Sequence, residues 1–343
     1  MRRKNKMKII TGLLGLALLF SAHVSATCEL DPSKSGPAPH YFNMPNTTIS
    51  VEADAPSSTT QPIYRYDIEP QSYTIYLSQC VDKEPYGKTA INLPAPGASA
   101  IYPTNIPGVG IKIIYNNGSD FGTGIYPVVY YTNFSPSPIG AYVYVPASFF
   151  RVEVYKIADS LSLTPLGDNI LLPPNNYVYN WNTIDALDHA SQIVHLDTIK
   201  IVSTPSCNFD NHKTVDFGTL TGNMLDASET IEKPLDFSIT CQTDYGTYSA
   251  TASISSDSTS SDGSYIKVTD AAGTSDKLAI RLKDDKGADL LVDGSSAVTI
   301  NNLASKMPAE FHWKATVMAQ PGATQHPAEG NFNAHAEILL QVK

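Results

Sequence analysis

Phe332-Asn333-Ala334-His335-Ala336-Glu337-Ile338-Leu339-Leu340-Gln341-Val342 stands at the end of the 343-residue sequence, and its reading decides the fold. Phe332, Ala334, Ala336, Ile338, Leu340 and Val342 are apolar. Asn333, His335, Glu337 and Gln341 alternate with them, with Leu339 as the one exception. A period of two marks a strand with one face in a core. Only Lys343 follows, so this strand has no later partner in the sequence. Two readings are open: a strand buried in the middle of its sheet, or a long open edge. An open edge invites pairing with other chains, and none of the usual blunting devices is visible here.

Working outward, the same character holds along the chain. Short runs rich in Tyr, Val, Ile and Thr recur at 72–77, 110–115, 126–132, 141–145 and 149–156. They continue at 235–241, 248–254, 265–268, 277–283 and 310–318, separated by Pro, Gly, Asn and Ser clusters. Many short strands with turn signals predict an all-β protein of sandwiches. A single helical turn is expected within 183–193. Composition shifts at Ser203-Thr204-Pro205-Ser206, with 16 of the 19 Tyr before it. The expected organisation is a signal peptide over 1–26, a first sandwich over 27–204 and a second over 205–343.

The N-terminus sets the compartment. Arg2, Arg3, Lys4, Lys6 and Lys8 precede an apolar run from Ile9 to Phe20, and Val24-Ser25-Ala26 supplies the small residues of a cleavage site. Export is therefore expected. Loss of 1–26, which carries five basic and no acidic residues, takes the net charge from −10 to −15. So acidic a chain argues against nucleic acid as a partner. The four cysteines, Cys28, Cys80, Cys207 and Cys241, should be oxidised in an exported chain. They allow three connectivities, of which Cys28–Cys80 with Cys207–Cys241 is the most economical. No CxxC or suitably spaced His supports a metal site, and no cofactor is expected. Asp284, Asp285, Asp289 and Asp293 lack calcium-loop spacing and read as a solvated hairpin. HExxH, GxSxG, Walker A and helix-opening GxGxxG motifs are missing, so an enzyme is not expected.

The second half has more specific features. Cys207-Asn208-Phe209, Val215-Asp216-Phe217-Gly218-Thr219-Leu220 and Phe237-Ser238-Ile239-Thr240-Cys241 occur in order. Leu278-Ala279-Ile280-Arg281-Leu282 follows, then a hairpin at Lys286-Gly287 and the ending from Pro327 to Ala336. This set resembles the pilin domains of chaperone–usher bacterial fimbriae, and the resemblance covers nearly all of 205–343. It implies an incomplete Ig-like sandwich, completed by a donor strand. A periplasmic chaperone would lend that strand first, and the adjacent pilin subunit would replace it at an outer-membrane usher. The acceptor edge would be Phe332, Ala334, Ala336, Ile338, Leu340 and Val342. One departure is Val342 beside the C-terminal residue, where the family usually has an aromatic.

A pilin normally carries a short donor extension ahead of its domain. Here about 178 residues take that place, which resembles a two-domain tip adhesin of the type 1-like kind. The fold class implied is two Ig-like or jelly-roll β-sandwiches, the first receptor-binding and lectin-like. The implied location is the tip of a fimbria at the cell surface, and the implied receptor is a host glycan or glycoprotein. In the mannose-binding type, loops after the second cysteine and after a late strand form the sugar pocket. By that likeness the ligand-binding candidates are Asp82, Glu84 and Tyr86 after Cys80, and Lys156, Asp159 and Asp168 at and after the end of 149–156. The chain lacks the leading apolar residue and the amide cluster of that type. A second candidate is 175–182, where an extended strand would put Tyr177, Tyr179 and Trp181 on one side as aromatic faces beside several amides. The alternative function is a structural minor tip pilin with no receptor.

Overall fold

A computed structural model describes residues 28–122, 124–210 and 212–343; the predicted signal peptide lies outside them. The regular structure of the described residues is almost all strand, in six sheets, with one short α-helix at Gly222–Asp226. The sheets up to Thr204 pack on one large buried apolar cluster, with a small second one on the outer face of Asn175–Asn182, and those from Ser206 share another. Pro205 alone separates the strand Ile199–Thr204 from the strand Ser206–Phe209.

In the second sandwich, alternation explains the layers. Pro308–Ala319 buries Ala309, Phe311, Trp313, Ala315 and Val317 and exposes most residues between them. Ile231–Gln242 pairs with it in antiparallel fashion and buries Leu235, Phe237, Ile239 and Cys241. Phe237 stacks on Phe311, with ring centroids 5.0 Å apart, and meets Trp313 edge-on at 4.9 Å. This sheet has the order Ser206–Phe209, Ile231–Gln242, Pro308–Ala319, Leu278–Lys283, Ile266–Val268. The opposing sheet is Asp293–Ala304, Thr247–Ser255, Glu337–Val342. The predicted hairpin at Lys286-Gly287 is present. Asp284 accepts from the backbone N–H groups of Lys286 and Ala288, and Gly287 takes φ +84°, a conformation that suits glycine.

The first sandwich is more elaborate. Its five-stranded sheet runs His40–Met44, Ala190–Leu196, Asn175–Asn182, Pro85–Ala90, Val128–Tyr131. A four-stranded sheet runs Tyr64–Asp67, Phe149–Lys156, Val109–Asn116, Tyr102–Pro103. Two three-stranded sheets complete it: Glu29–Leu30, Ile75–Val81, Ile139–Tyr144, and Ile170–Leu172, Ile199–Thr204, Thr47–Glu52. Two parallel pairings, His40–Met44 with Ala190–Leu196 and Thr47–Glu52 with Ile199–Thr204, bring distant parts of the chain together. The disulfides are Cys28–Cys80 and Cys207–Cys241, the economical pairing.

Three local expectations are revised. The helical turn within 183–193 is a short 3-10 turn, Leu187–His189, followed at once by strand. The final strand is shorter than 332–342 and spans Glu337–Val342. Asn333 forms a bridge with Thr269 instead, and the His335 carbonyl accepts from Ser256 Oγ, so the preceding segment is held outside the ladder of the last strand. Ala334 is therefore exposed, while Phe332, Ala336, Ile338, Leu340 and Val342 pack partly against the core.

The junction between the sandwiches is polar and ordered. Asp244 lies in the loop between Ile231–Gln242 and Thr247–Ser255 and is 1% exposed. Its carboxylate accepts from the Leu161 N–H at 2.7 Å and from Ser203 Oγ at 2.7 Å, and its carbonyl accepts from the Leu163 N–H. The Tyr245 hydroxyl accepts from the Ser203 N–H, and Gln242 donates to the Ala53 carbonyl. Paired donors of this kind satisfy backbone groups that burial would otherwise strand.

Candidate functional site

Two features stand out, one on each sandwich. On the second, Glu337–Val342 pairs only with Thr247–Ser255 among the described residues, so its other edge is open. Beside that edge lies a groove of about 1300 Å³. Leu235, Phe237, Ile254, Leu278, Ile280 and Leu282 line its floor, and Phe217, Phe332, Ile338 and Leu340 line its rim. An open ladder of backbone donors and acceptors over an apolar trough is the geometry that accepts an added strand. Asp270 anchors the segment that leads into this edge: its carboxylate accepts from the N–H groups of Ala328, Thr274 and Ala272 and from Thr274 Oγ1. Those bonds, chiefly that from Ala328, hold its pKa down to about 2.

On the first sandwich, the predicted residues fall into separate places. Glu84 is buried; its Oε1 accepts from the Cys28 N–H and from Thr183 Oγ1, and its Oε2 accepts from the Val81 N–H. It thereby seats the Cys28–Cys80 bridge. Both sulfurs are spent in that bridge, so the approach of Glu84 to them offers no metal ligand set. Asp82 accepts from the Phe134 N–H. Lys156 is fully buried and donates to the carbonyls of Ala53 and Ala55. Asp159 is exposed and accepts from Ser57, and exposed Asp168 pairs with Lys200 at 2.6 Å. The loop that carries Asp159 runs into the Asp244 junction, so Lys156 and Asp159 sit at the end of the sandwich next to the second domain.

Tyr179 and Trp181 do share a face, as alternation predicts, but that face is covered. They are 4% and 3% exposed and pack with Ile193 and Ala190. Tyr179 donates its hydroxyl proton to Asp185, and Trp181 Nε1 donates to Thr89 Oγ1. Tyr177 departs from the alternation because the register shifts between Asn176 and Val178, which turns its ring into the main core.

Tyr86 is the predicted residue that lies in a half-open aromatic cluster. It stacks on Tyr130 at 5.5 Å and packs on Tyr142 at 4.6 Å, and Tyr142 meets Tyr144 at 5.1 Å. Lys88, on the same face of the strand Pro85–Ala90, holds its ammonium 4.8 Å from the Tyr115 ring centroid and 5.9 Å from that of Tyr130. Asn182 pairs with Tyr86 across the sheet, and Asn180 with Lys88. Behind them, the Tyr144 hydroxyl donates to Asn182 and the Tyr126 hydroxyl to Asn180. Burial pushes the pKa of the Lys88 ammonium down to about 8. Lys88 is not among the candidates read from the sequence. The signal was available: Tyr86, Lys88 and Ala90 alternate onto one face of a strand in a tyrosine-rich half.

The comparisons with known proteins match the two halves of the chain to different families. Residues 45–167 match the MrkD-like receptor binding domain, and residues 197–343 match the fimbrial protein family. The chain thus joins a region like an adhesin's receptor binding domain to a region like a fimbrial protein. It also resembles solved structures at low identity. It is 18% identical to the receptor binding domain of the adhesin MrkD1P of Klebsiella pneumoniae, covering 50% of this chain and 94% of that one at a TM-score of 0.36. It is 13% identical to the CupB6 tip adhesin of Pseudomonas aeruginosa, covering 92% and 94% at 0.34. It is 11% identical to CfaE, the adhesive subunit of CFA/I fimbria of enterotoxigenic Escherichia coli, covering 89% and 93% at 0.31. No curated protein matches the chain. Both matched families are of fimbrial adhesins and pilins, which are non-enzymatic.

Proposed function

We propose that this adhesin is the tip subunit of a chaperone–usher fimbria, that residues 27–204 bind a host glycan or glycoprotein, and that residues 205–343 anchor it to the fibre. The carrying observation is the open edge of Glu337–Val342 above its apolar groove. A strand lent by a periplasmic chaperone, and later by the adjacent pilin at the outer-membrane usher, would pair along that edge and fill the groove. Ile338, Leu340 and Val342 would flank it, with Phe332 and Ala336 at its end. The receptor-binding sandwich stands directly ahead of the pilin domain, separated by Pro205 alone, where a pilin would carry its donor strand. A subunit built this way receives a strand from one neighbour and presents its first sandwich outward.

The test is adhesion by fimbriated cells whose tip subunit lacks the receptor-binding function. Soluble 27–204 should bind host cells or glycans, and should block attachment of fimbriated cells in competition. A folded 27–204 domain that binds no cell surface or glycan would favour a structural tip pilin with no receptor. Fimbriae that assemble normally when Leu340→Lys blocks the groove would refute the anchoring role.

A further inference from the structure

The Lys88 cluster has features that its surroundings leave unsatisfied, and the inference rests on the reading that the first sandwich binds a glycan or glycoprotein. Lys88 has no carboxylate in ion-pair range among the described residues, although its ammonium is drawn in between Tyr115 and Tyr130. A half-buried cation without a counter-charge is costly unless something compensates it, and two ring faces do so only in part. Independently, Asn182 is 5% exposed and its Nδ2 has no hydrogen-bond partner, while its Oδ1 accepts from Tyr144 and Ser191. Asn182 lies next to Tyr86 across the sheet, directly behind the cluster. One place therefore holds a cation without an anion and a donor without an acceptor, beside half-exposed tyrosine faces.

Its position fits an outward-facing site. Val128–Tyr131 and Ile139–Tyr144 are the last strands of their two sheets, and each pairs on one side only among the described residues. Tyr130 comes from one and Tyr142 from the other, with Tyr86 between them, so the cluster opens at the seam between two sheet edges. Tyr115 lies six residues along its strand from Val109, which pairs with Lys156 at the domain-junction end. At about 3.3 Å per residue, the cluster is roughly 20 Å from that end, toward the part farthest from the fibre.

We propose that Lys88, Tyr86, Tyr142 and Asn182 form a binding site for an acidic saccharide, whose carboxylate or sulfate pairs with Lys88 while its C–H face packs on the tyrosines. An anionic group supplies both the missing counter-charge for Lys88 and an acceptor for Asn182. Neutral sugars would supply only the acceptor.

The experiment uses the full exported chain, stabilised by a donor-strand peptide, on an array that carries neutral, carboxylated and sulfated versions of the same oligosaccharides. Binding should favour an acidic set, and the two acidic arms distinguish carboxylate from sulfate. Lys88→Met should weaken that binding about tenfold or more, and Lys88→Arg should keep it. Wild-type binding should fall as pH rises from 7 to 9.5, whereas Lys88→Arg should stay flat. Tyr86→Leu should weaken binding with no change in its pH profile. Preference for neutral sugars, or equal binding by wild type and Lys88→Met, would overturn the inference while leaving the adhesin reading intact. No binding to any array member, together with no attachment to cells, would overturn both.

Discussion

Replacing Asp244 with alanine should loosen the junction between the two sandwiches. The wild-type carboxylate is buried and accepts from the Leu161 N–H and Ser203 Oγ, each at 2.7 Å. Stranding a buried donor costs about 1–3 kcal/mol. The Ser203 hydroxyl can rotate to a new acceptor, so the sum should fall near 2–4 kcal/mol. Both donors belong to the first sandwich, so that domain should carry the loss. For a domain of its size, 1 kcal/mol corresponds to about 2–4 °C, which gives a drop of roughly 4–16 °C in its melting transition. Asp244→Asn is the control. Its amide oxygen can still accept from Leu161, and Ser203 Oγ can accept from its amide nitrogen, so its loss should stay below about 1 kcal/mol. Calorimetry on the donor-stabilised chain, with hydrogen exchange at Leu161 and Leu163, would measure both. If Asp244→Ala melts like wild type and Leu161 keeps its protection, the latch as described does not hold the domains.

Further outcomes follow from the same geometry. Lys88 has a folded pKa near 8 against an ordinary 10.5, so burial penalises its charged form. That penalty is present in full below pH 8 and fades as pH rises toward 10.5, so stability should rise across this window. Lys88→Met should abolish the rise and gain about 1–3 kcal/mol at neutral pH, allowing for solvent on its open side; denaturant titrations at pH 7 and 10 would check both. Asp270 behaves in the opposite sense: its lowered pKa stabilises the fold above about pH 4, and this is lost as pH falls toward 2. Asp270→Asn should flatten that part of the acid-unfolding curve. Phe311→Ala should cost about 3–5 kcal/mol by opening a cavity against Phe237 and Trp313, read from the shift in denaturant midpoint. Gly87→Ala should displace Trp181, because a Cβ there would meet its ring Cζ2 and the Val128 carbonyl oxygen, each at 2.6 Å; a change in tryptophan fluorescence would report it.

Regular alternation made much of the fold legible. Ile338, Leu340 and Val342 face the core as their period of two requires, and Phe149–Lys156 has the predicted bounds. Alternation misleads where the backbone leaves the ladder. The bridge from Asn333 to Thr269 ends the last strand early and exposes Ala334, and the register shift at Asn176 sends Tyr177 inward. The candidate site was harder to read because it depends on neighbours distant in sequence. Nothing in the local sequence says that Lys156 will find the carbonyls of Ala53 and Ala55, some hundred residues earlier. Likewise Lys88 becomes notable only when Tyr115 and Tyr130 close around it. Polar side chains take their roles from tertiary partners, whereas apolar ones announce theirs by period.

The most direct test of the account is hydrogen exchange along Glu337–Val342 in the isolated adhesin, with and without a donor peptide of alternating apolar residues. The account predicts that the N–H groups facing the open edge exchange fast in the free protein, which aggregates. Bound peptide should protect them and keep the protein monomeric. A free protein that is stable and monomeric, with that edge already protected and unchanged by the peptide, would contradict it.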